Sequence, residues 1–270
     1  MLTLQYGSDL HIEFRDLSVI PKLFKNINAD VLILAGDITS INDPQEQTKF
    51  DALLQYYCPK YKYILHVAGN HEFYTASEAV TKTDCMDAVH KKFKAYKKKY
   101  QNYLYLNCET AVLQINDNSY MFIGATLWTK VDSTNYSHIE ERMNDYEHIF
   151  VNKGQEVVKF NVMEMQKLHS KYRLFIKKSI ASAQDLGLKC ILITHHKPYI
   201  SNMEIYKKSI MNQAYETDME KFMNSSVALV IYGHTHKHND SVINNIRYVS
   251  NPRGYVGQHC GFKSDLGVSI

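Results

Sequence analysis

The chain has few cysteines and no motif built from them. It holds five among 270 residues, an odd number, and no two are spaced as Cys-x-x-Cys. A disulfide framework and a structural zinc site made of thiolates are both disfavoured by this pattern. Such cysteine usage is typical of a reducing compartment, and we expect a cytoplasmic protein.

Long apolar runs and a strong charge of either sign are also missing. No apolar run approaches the roughly 20 residues that cross a bilayer, and Met1 to Gln5 do not form a secretory signal. We therefore expect no membrane partner. With 31 basic and 28 acidic residues the net charge is +3, which is too small to require nucleic acid as a partner.

Short apolar runs alternate with stretches of helical periodicity, and no low-complexity linker or repeat interrupts them. We expect buried strands over residues 2–7, 31–35, 63–68, 190–194 and 227–232, and helices over 43–57, 77–100 and 155–186. Residues 110–124 predict one hairpin and residues 242–249 another. This order predicts an α/β sandwich with mixed sheets, and we expect residues 1–270 to form a single domain.

Polar residues follow five of the predicted strands, at the edge where open α/β sheets form their sites. The side chains placed there are carboxylates, imidazoles and an amide: Asp9, His11, Asp37, Asn70, His71, His195, His196, His234 and His236. Mixed imidazole and carboxylate ligands suit manganese, iron, zinc, cobalt or nickel more than magnesium or calcium. One ion needs only three or four protein ligands, so this set predicts two ions that share a carboxylate.

The ordered motifs of this chain resemble those of the calcineurin-like metallophosphoesterase superfamily. They read Asp-x-His, Gly-Asp, Gly-Asn-His-Glu, His-His and Gly-His-Thr-His, and they extend from Asp9 to His236. Three further stretches, which begin at Ser8, Gly124 and Asn251, resemble small single-domain bacterial and phage members. The resemblance implies an αββα sandwich with a dimetal site at the carboxyl ends of the strands.

The resemblance also implies a role for each site residue. The first ion would bind Asp9, His11 and His236, the second would bind Asn70, His195 and His234, and Asp37 would bridge both. A hydroxide between the ions would attack the phosphate in line. His71 would protonate the leaving oxygen or contact the phosphate, and we assign Asn70 and Arg253 to substrate binding. Manganese is the expected metal, with iron, zinc, cobalt or nickel as alternatives.

The chain departs from the fuller family pattern after Gly36-Asp37. Many relatives carry a second carboxylate that orients the histidine of Gly-Asn-His, whereas this chain has Ser40 there. The departure leaves open how His71 is held. Arginines found in phosphoprotein phosphatases are replaced by Ile41 and Phe73, which argues against that activity.

Several other features allow two interpretations. The basic run Lys91 to Lys99 is either a solvated helix face or a contact to polynucleotide phosphates. Trp128 either stacks on a substrate or packs as a hydrophobic lid, and Arg253 belongs either to a phosphate contact or to a plain turn. His196 is a weaker ligand candidate than His195.

We therefore predict a hydrolase of phosphate monoesters or diesters. A nuclease or nucleotide phosphodiesterase is the alternative, and a non-catalytic metal-binding scaffold on the same fold is a second one. The sequence leaves the substrate, the metal and the oligomeric state open.

Overall fold

The computed structural model describes residues 1–25, 27–76 and 79–270. Thirteen strands lie within these ranges: β1 Thr3–Gly7, β2 Val31–Ala35, β3 Tyr63–Val67, β4 Tyr103–Tyr105, β5 Glu109–Ile115, β6 Asn118–Ala125, β7 Phe150–Lys153, β8 Glu156–Lys159, β9 Lys189–Thr194, β10 Val227–Ile231, β11 Asn239–Ile243, β12 Ile246–Ser250 and β13 Gly267–Ser269. The α-helices in the same ranges are α1 Ile20–Leu23, α2 Pro44–Tyr57, α3 Met86–Ala95, α4 Tyr136–Glu140, α5 Asp145–His148, α6 Val162–Asp185 and α7 Met203–Lys208.

Two mixed sheets form the centre of the molecule. The first has the strand order β13-β1-β2-β3-β4, and only β13 runs antiparallel to its neighbour. The second has the order β11-β12-β10-β9-β6-β5, with parallel inner strands and an antiparallel strand at each edge. A separate hairpin pairs β7 with β8.

Strand β2 shows how the two sheets and the outer helices share the core. Leu32 and Leu34 pack in the cluster that contains the helices, whereas Val31, Ile33 and Ala35 pack in the cluster between the sheets. Successive side chains of a strand point to opposite faces, so a strand covered on both faces is apolar throughout. The predicted αββα sandwich is thereby confirmed.

Helix α2 begins as its sequence predicts. The Asp43 carboxylate accepts a hydrogen bond of 2.6 Å from the Gln45 amide, and Pro44 occupies the first helical position. Both are helix-start signals. The amides of the first turn have no partner within the helix, so the Asp43 side chain can accept from one of them, and Pro44 has no amide N–H that would need a partner. On the inner face, Phe50 is fully buried against Phe93 of α3.

The predicted bounds of two helices are wrong in detail. The helix expected over residues 155–186 begins at Val162, because Glu156–Lys159 forms the second strand of a hairpin. Its start is fixed by the side chain of Asn161, which accepts a hydrogen bond from the Glu164 amide. Of the helix expected over 77–100, α3 covers Met86–Ala95, and residues 77 and 78 lie outside the described residues.

The two predicted hairpins are present as β5–β6 and β11–β12. In the described residues, no helix combines the length and the apolar character that crossing a bilayer requires. That residues 1–270 form a single domain stays a prediction.

Candidate metal centre

The predicted ligands come from loops at the carboxyl ends of strands in both sheets. Asp9 and His11 follow β1, Asp37 follows β2, Asn70 follows β3, His195 follows β9, and His234 and His236 follow β10. Because the inner strands of each sheet are parallel, their carboxyl ends meet at one edge. The sandwich therefore brings these seven side chains into one cleft.

An unusual backbone conformation orients most of these side chains towards the cleft. Five of the seven residues have φ between 45° and 67°, in the left-handed region: Asp9, His11, Asp37, His234 and His236. Side chains other than glycine rarely adopt this region, although Asp and His do so more often than most, and a residue held there costs of order 1–3 kcal/mol at most. The sharp turn it produces reverses the chain directly after the strand and leaves the side chain at the edge of the sheet.

Two glycines make room for the ligands. A Cβ at Gly36, where φ is +84°, would lie 2.3 Å from His195 Nδ1. A Cβ at Gly69 would lie 2.2 Å from Asp37 Oδ1. Each is far inside van der Waals contact, so the glycine before Asp37 and the glycine before Asn70 are required by packing of the site itself.

The first group of donor atoms consists of Asp9, His11, Asp37 and His236, whose potential ligand atoms all lie within 4.8 Å of one another. His236 Nε2 is 3.2 Å from Asp9 Oδ1 and 3.3 Å from His11 Nε2. His11 Nε2 is 3.9 Å from Asp37 Oδ2. These are the residues predicted for the first ion, together with the predicted bridge.

The second group consists of Asp37, His195 and His234, and its donor atoms also lie within 4.8 Å of one another. His195 Nε2 is 3.3 Å from Asp37 Oδ2 and 3.2 Å from His234 Nδ1. It is also 3.1 Å from Asn70 Oδ1, which brings the predicted amide ligand into this group. Asp37 belongs to both groups.

Hydrogen bonds behind the site orient the donor atoms. The Nδ1 atoms of three imidazoles face oxygen acceptors: His11 faces Glu13 at 3.1 Å, His195 faces the Ala35 carbonyl at 3.0 Å, and His236 faces Gln258 Oε1 at 2.7 Å. A proton on each Nδ1 leaves the Nε2 lone pairs directed into the same space. Lone pairs that converge at such distances repel unless a cation or a proton lies between them.

The amide of Asn70 is oriented in the same way. Its Nδ2 donates to Asp145 Oδ1 at 2.9 Å and to the Tyr74 hydroxyl at 3.2 Å, so Oδ1 faces the site. Tyr74 in turn donates to Asp145 at 2.6 Å. Burial raises the pKa of Asp145, although these hydrogen bonds oppose the shift. An oxygen directed at the site by a buried network suits a cation ligand.

Charges within the site act strongly on one another. Burial opposes ionisation of Asp37, but the imidazoles of His195 and His71 hold its pKa well below the usual value. Burial likewise opposes protonation of His195, yet Asp37 raises the pKa of His195 to about 10. Burial and the neighbouring imidazoles of His196 and His195 lower the pKa of His234 well below its usual value.

Taken together, the donor set fits two transition-metal cations. It is buried, it combines imidazole nitrogen with carboxylate and amide oxygen, and the tautomers direct lone pairs inward. His234 adds a second indication, because its Nε2 is buried without a hydrogen-bond partner among the described residues while its Nδ1 faces the second group.

His71 lies beside the two groups and is held by a carboxylate that the sequence did not indicate. Its Nδ1 is 3.3 Å from Glu13 Oε1, the same oxygen that faces His11. The Glu13 side chain is only 5% exposed. Burial lowers the pKa of His71, but the charges of Asp37 and Glu13 outweigh it and raise the pKa to about 9. Cations bound at Asp37 would oppose this increase.

Ser40 contacts a carboxylate other than that of Glu13. Its hydroxyl donates to the Glu46 carboxylate, and both residues line the cavity that also contains Glu13 and His71. Ser40 therefore contacts a neighbouring acid, while Glu13 contacts His71 from the β1 loop.

A tyrosine closes the other side of His71. The Tyr255 hydroxyl lies 3.0 Å from His71 Nε2, and its ring stacks on His11 at 4.4 Å between centroids. Tyr255 is 41% exposed, so it lies at the mouth of the cleft, where an incoming substrate would meet it.

Other residues considered from the sequence are not among the donor groups of this centre. Trp128 is fully buried against Phe160 and His196, so it cannot stack on a substrate in this structure. His196 Nδ1 faces the Thr126 carbonyl at 3.2 Å and is absent from both donor groups. Arg253 does not line the metal cleft, which instead contains Arg142. The assignment of Arg253 to substrate stays a prediction.

The basic run behaves as a solvated helix face. Phe93 is fully buried, while Lys91, Lys94 and Lys99 pair with carboxylates of Asp87, Glu109 and Asp51. Three of the six lysines of the run are thus paired, whereas Lys92 and Lys97 donate to neutral oxygens, so the ion pairs reduce the charge that is left for a phosphate backbone without removing it.

Glu72 is a further residue whose part was not foreseen. Its buried carboxylate accepts hydrogen bonds from the amides of Asp37, Ile38 and Gly69 at 2.7–2.9 Å. It therefore ties the β2 loop to the β3 loop. Its place in Gly-Asn-His-Glu was a sequence signal. Glu13 and Tyr255 lie in the stretches that begin at Ser8 and Asn251, but the resemblance gave neither residue a role.

Comparison with known proteins agrees with this geometry. Residues 8–238 match the calcineurin-like phosphoesterase family model. An uncharacterized protein of Acanthamoeba polyphaga mimivirus is 28% identical over 286 residues, which cover 100% of this chain and 97% of that protein.

Two solved structures share the fold. A phosphopantetheinyl hydrolase of Mycobacterium tuberculosis superposes with a TM-score of 0.68 at 14% identity, covering 94% of this chain and 89% of that one. A putative 5'-nucleotidase of Staphylococcus aureus, in complex with alpha-ketoglutarate, gives a TM-score of 0.52 at 14% identity over 94% of this chain and 49% of that one. Since the family model spans most of the sequence and its motif residues converge in one cleft, the chain belongs to the calcineurin-like phosphoesterase family.

Proposed function

We propose that this protein is a dimetal-dependent hydrolase of small phosphate esters. The observation that carries the proposal is the Asp37 carboxylate, which belongs to two buried groups of donor atoms at once. A shared carboxylate between two nitrogen-rich groups is the arrangement that a two-cation site requires. Family membership supports the same reaction class.

One cation would be held by Asp9, His11, Asp37 and His236. The other would be held by Asp37, Asn70, His195 and His234. When bound, two such cations supply Lewis-acid polarisation of the phosphate and activation of water. The imidazole-rich donors favour manganese, iron, zinc, cobalt or nickel over magnesium and calcium, and manganese is our first choice.

We assign to His71 the transfer of a proton to the leaving oxygen, and its contacts support this role. Its Nδ1 is engaged by Glu13, so its Nε2 is the atom that faces the cleft, where the Tyr255 hydroxyl lies at 3.0 Å. A hydroxyl of the protein at this distance shows that an oxygen fits at hydrogen-bonding range. Protonation there favours departure of an alkoxide, which is a poor leaving group.

The charge on one side of the cleft favours small esters over polynucleotides. A cavity of about 630 Å³ adjoins His71, and four carboxylates line it: Glu13, Asp43, Glu46 and Asp84. A polyanion would meet repulsion along this wall, whereas a compact ester exposes a single phosphate to the metal cleft. Monoester and diester hydrolysis remain the two forms of the proposal.

A non-catalytic scaffold is the second candidate. A scaffold would not need a histidine that a buried carboxylate holds beside the donor groups. The contact between Glu13 and His71 therefore favours an enzyme over a scaffold. We also propose a cytoplasmic location, which the five free thiols support.

The test combines metal content with turnover. The wild type, Asp37→Asn and the control Asp87→Asn, an exposed acid on α3, are loaded with manganese, zinc or cobalt and assayed on monoesters, diesters, nucleotides and single-stranded nucleic acid. We expect two ions per chain and activity in the wild type and control, and at most one ion with at least a thousandfold slower turnover in Asp37→Asn.

Full activity in Asp37→Asn, or an active wild type with a single ion, would refute the dimetal mechanism. Two bound ions with no turnover on any substrate would favour the scaffold. Turnover confined to single-stranded nucleic acid would establish the nuclease instead.

A further inference from the structure

A second cavity adjoins the metal cleft and carries two arginines. Its volume is about 400 Å³, and Arg15, Arg253 and His259 are among its lining residues. Tyr255 and Gln258 line both this cavity and the metal cleft. The two spaces therefore share a wall that also contacts the site, because Tyr255 contacts His71 and Gln258 contacts His236.

Neither guanidinium forms an ion pair with a carboxylate of the described residues. Within residues 1–25, 27–76 and 79–270, no carboxylate oxygen lies within 4.0 Å of either side chain. Arg15 donates instead to the carbonyls of Leu10 at 3.2 Å and Gly254 at 2.7 Å. Arg253 Nη1 is buried and has no acceptor among the same residues.

The two charges also lie close enough to repel. Burial, followed by the charge of Arg15, lowers the pKa of Arg253 to about 10. A partly buried guanidinium beside a second one is unfavourable unless an anion compensates both. Paired arginines are well suited to bind phosphate, since each presents several N–H donors in a planar fork.

We propose that this cavity, defined by Arg15 and Arg253, binds a second phosphate group of the substrate. The inference rests on the proposed function and narrows it to esters that carry another phosphate on their organic part. A free phosphate ion would satisfy the same arginines, but the wall shared with the metal cleft favours one molecule that spans both spaces.

A series of substrates of increasing length tests whether one molecule spans both spaces. Alkanediol bisphosphates with two to eight carbons are compared with the matching alkyl monophosphates in the manganese enzyme. We expect kcat/KM to favour the bisphosphate by about tenfold or more at one chain length, mainly through KM, since hydrogen bonds between guanidinium and phosphate are charge-assisted and strong.

Arg253→Met and Arg15→Met should each reduce that preference by about tenfold or more. Arg173→Met, an arginine of α6 that packs on Phe222, is the matched control and should keep it. A wild type without preference at any length, or a preference that survives both variants, would overturn the proposal. Arg15→Met keeps the test decisive if Arg253→Met does not fold.

Binding without metal separates this inference from the hydrolase proposal. Inorganic pyrophosphate is titrated into chelator-treated wild type, Arg15→Met and Arg173→Met and followed by calorimetry. Binding that is lost in Arg15→Met alone supports the arginine site even if no ester is hydrolysed. Equal binding in all three proteins, or none in the wild type, would refute it. Binding of pyrophosphate with no bisphosphate preference in an active enzyme would replace the spanning substrate by a free anion and overturn the proposal as stated.

Discussion

Replacing Glu13 by glutamine should uncouple His71 from the reaction while leaving the fold intact. The Glu13 carboxylate faces Nδ1 of both His11 and His71, at 3.1 and 3.3 Å, from a side chain that is 5% exposed. Glutamine keeps the shape but removes the charge. Because the substitution is nearly isosteric but neutralises a buried carboxylate, we expect a folded protein with a lower melting temperature.

The expected magnitude follows from the contact with His71. A hydrogen bond to a charged group contributes about 1.5–3 kcal/mol, which corresponds to about 10- to 100-fold in rate. We therefore expect kcat for alkyl esters to fall by about 10- to 100-fold in Glu13→Gln.

The pattern across substrates identifies the mechanism. A nitrophenyl ester has a leaving group that departs without a proton, so its loss should be small, whereas an alkyl ester should show the full loss. His71→Ala should give the same pattern, and the double variant should be no slower than His71→Ala alone. Glu156→Gln, an exposed acid of β8, serves as the control.

A second-site variant sharpens the test. Ser40→Asp in the Glu13→Gln background restores a carboxylate to the cavity that holds His71 and should recover part of the alkyl-ester activity. Equal losses on both substrates together with reduced metal content would show that Glu13 acts through His11 alone. Additive losses in the double variant would likewise contradict the coupling to His71.

Three further outcomes can be measured directly. Asp37→Asn should lower metal content from two ions per chain to one or none, as seen by elemental analysis. Gly69→Ala should destabilise the fold and weaken metal binding, because its Cβ would meet Asp37 Oδ1 at 2.2 Å, whereas Gly154→Ala, with open space around it, should cost about 1 kcal/mol from its positive φ alone. Burial, then the charges of Lys94 and Lys171, lower the pKa of His90 to about 3. The unfolded state therefore binds more protons as pH falls below about 6.5, and His90→Gln should remove up to about 1.4 kcal/mol per pH unit of acid destabilisation, as read from urea titrations between pH 4 and 7.

The sequence predicted the strands around the site well because both faces of these strands are buried. Runs such as Val31–Ala35 are apolar at every position, and this signal needs no knowledge of the partner strands. The edge strands β4 and β13 were missed, since three residues are too few to show a pattern. The start of α6 was misplaced because the periodicity of residues 155–160 fits a helix until Asn161 is recognised as its cap.

The seven predicted ligands converge as expected, but the groups behind them could not be predicted. Ligands follow strands directly, so the topology alone brings them together. Glu13 and Asp145 reach the site through loop conformations and through contacts made across the fold. No local spacing specifies which carboxylate will meet which imidazole, and Ser40 contacts Glu46 while Glu13 contacts His71.

The residues of the candidate metal centre that have a left-handed backbone conformation are expected to favour metal binding at the expense of stability. At Asp9, His11, Asp37, His234 and His236, glycine would adopt the observed backbone without strain, and asparagine with little. Variants chosen only for thermal stability should therefore collect glycine or asparagine at these positions and lose metal as they gain robustness. A more stable variant obtained by such selection is expected to lack activity. If metal is present during selection, its binding stabilises the proteins that keep the native residues, and these residues are then retained.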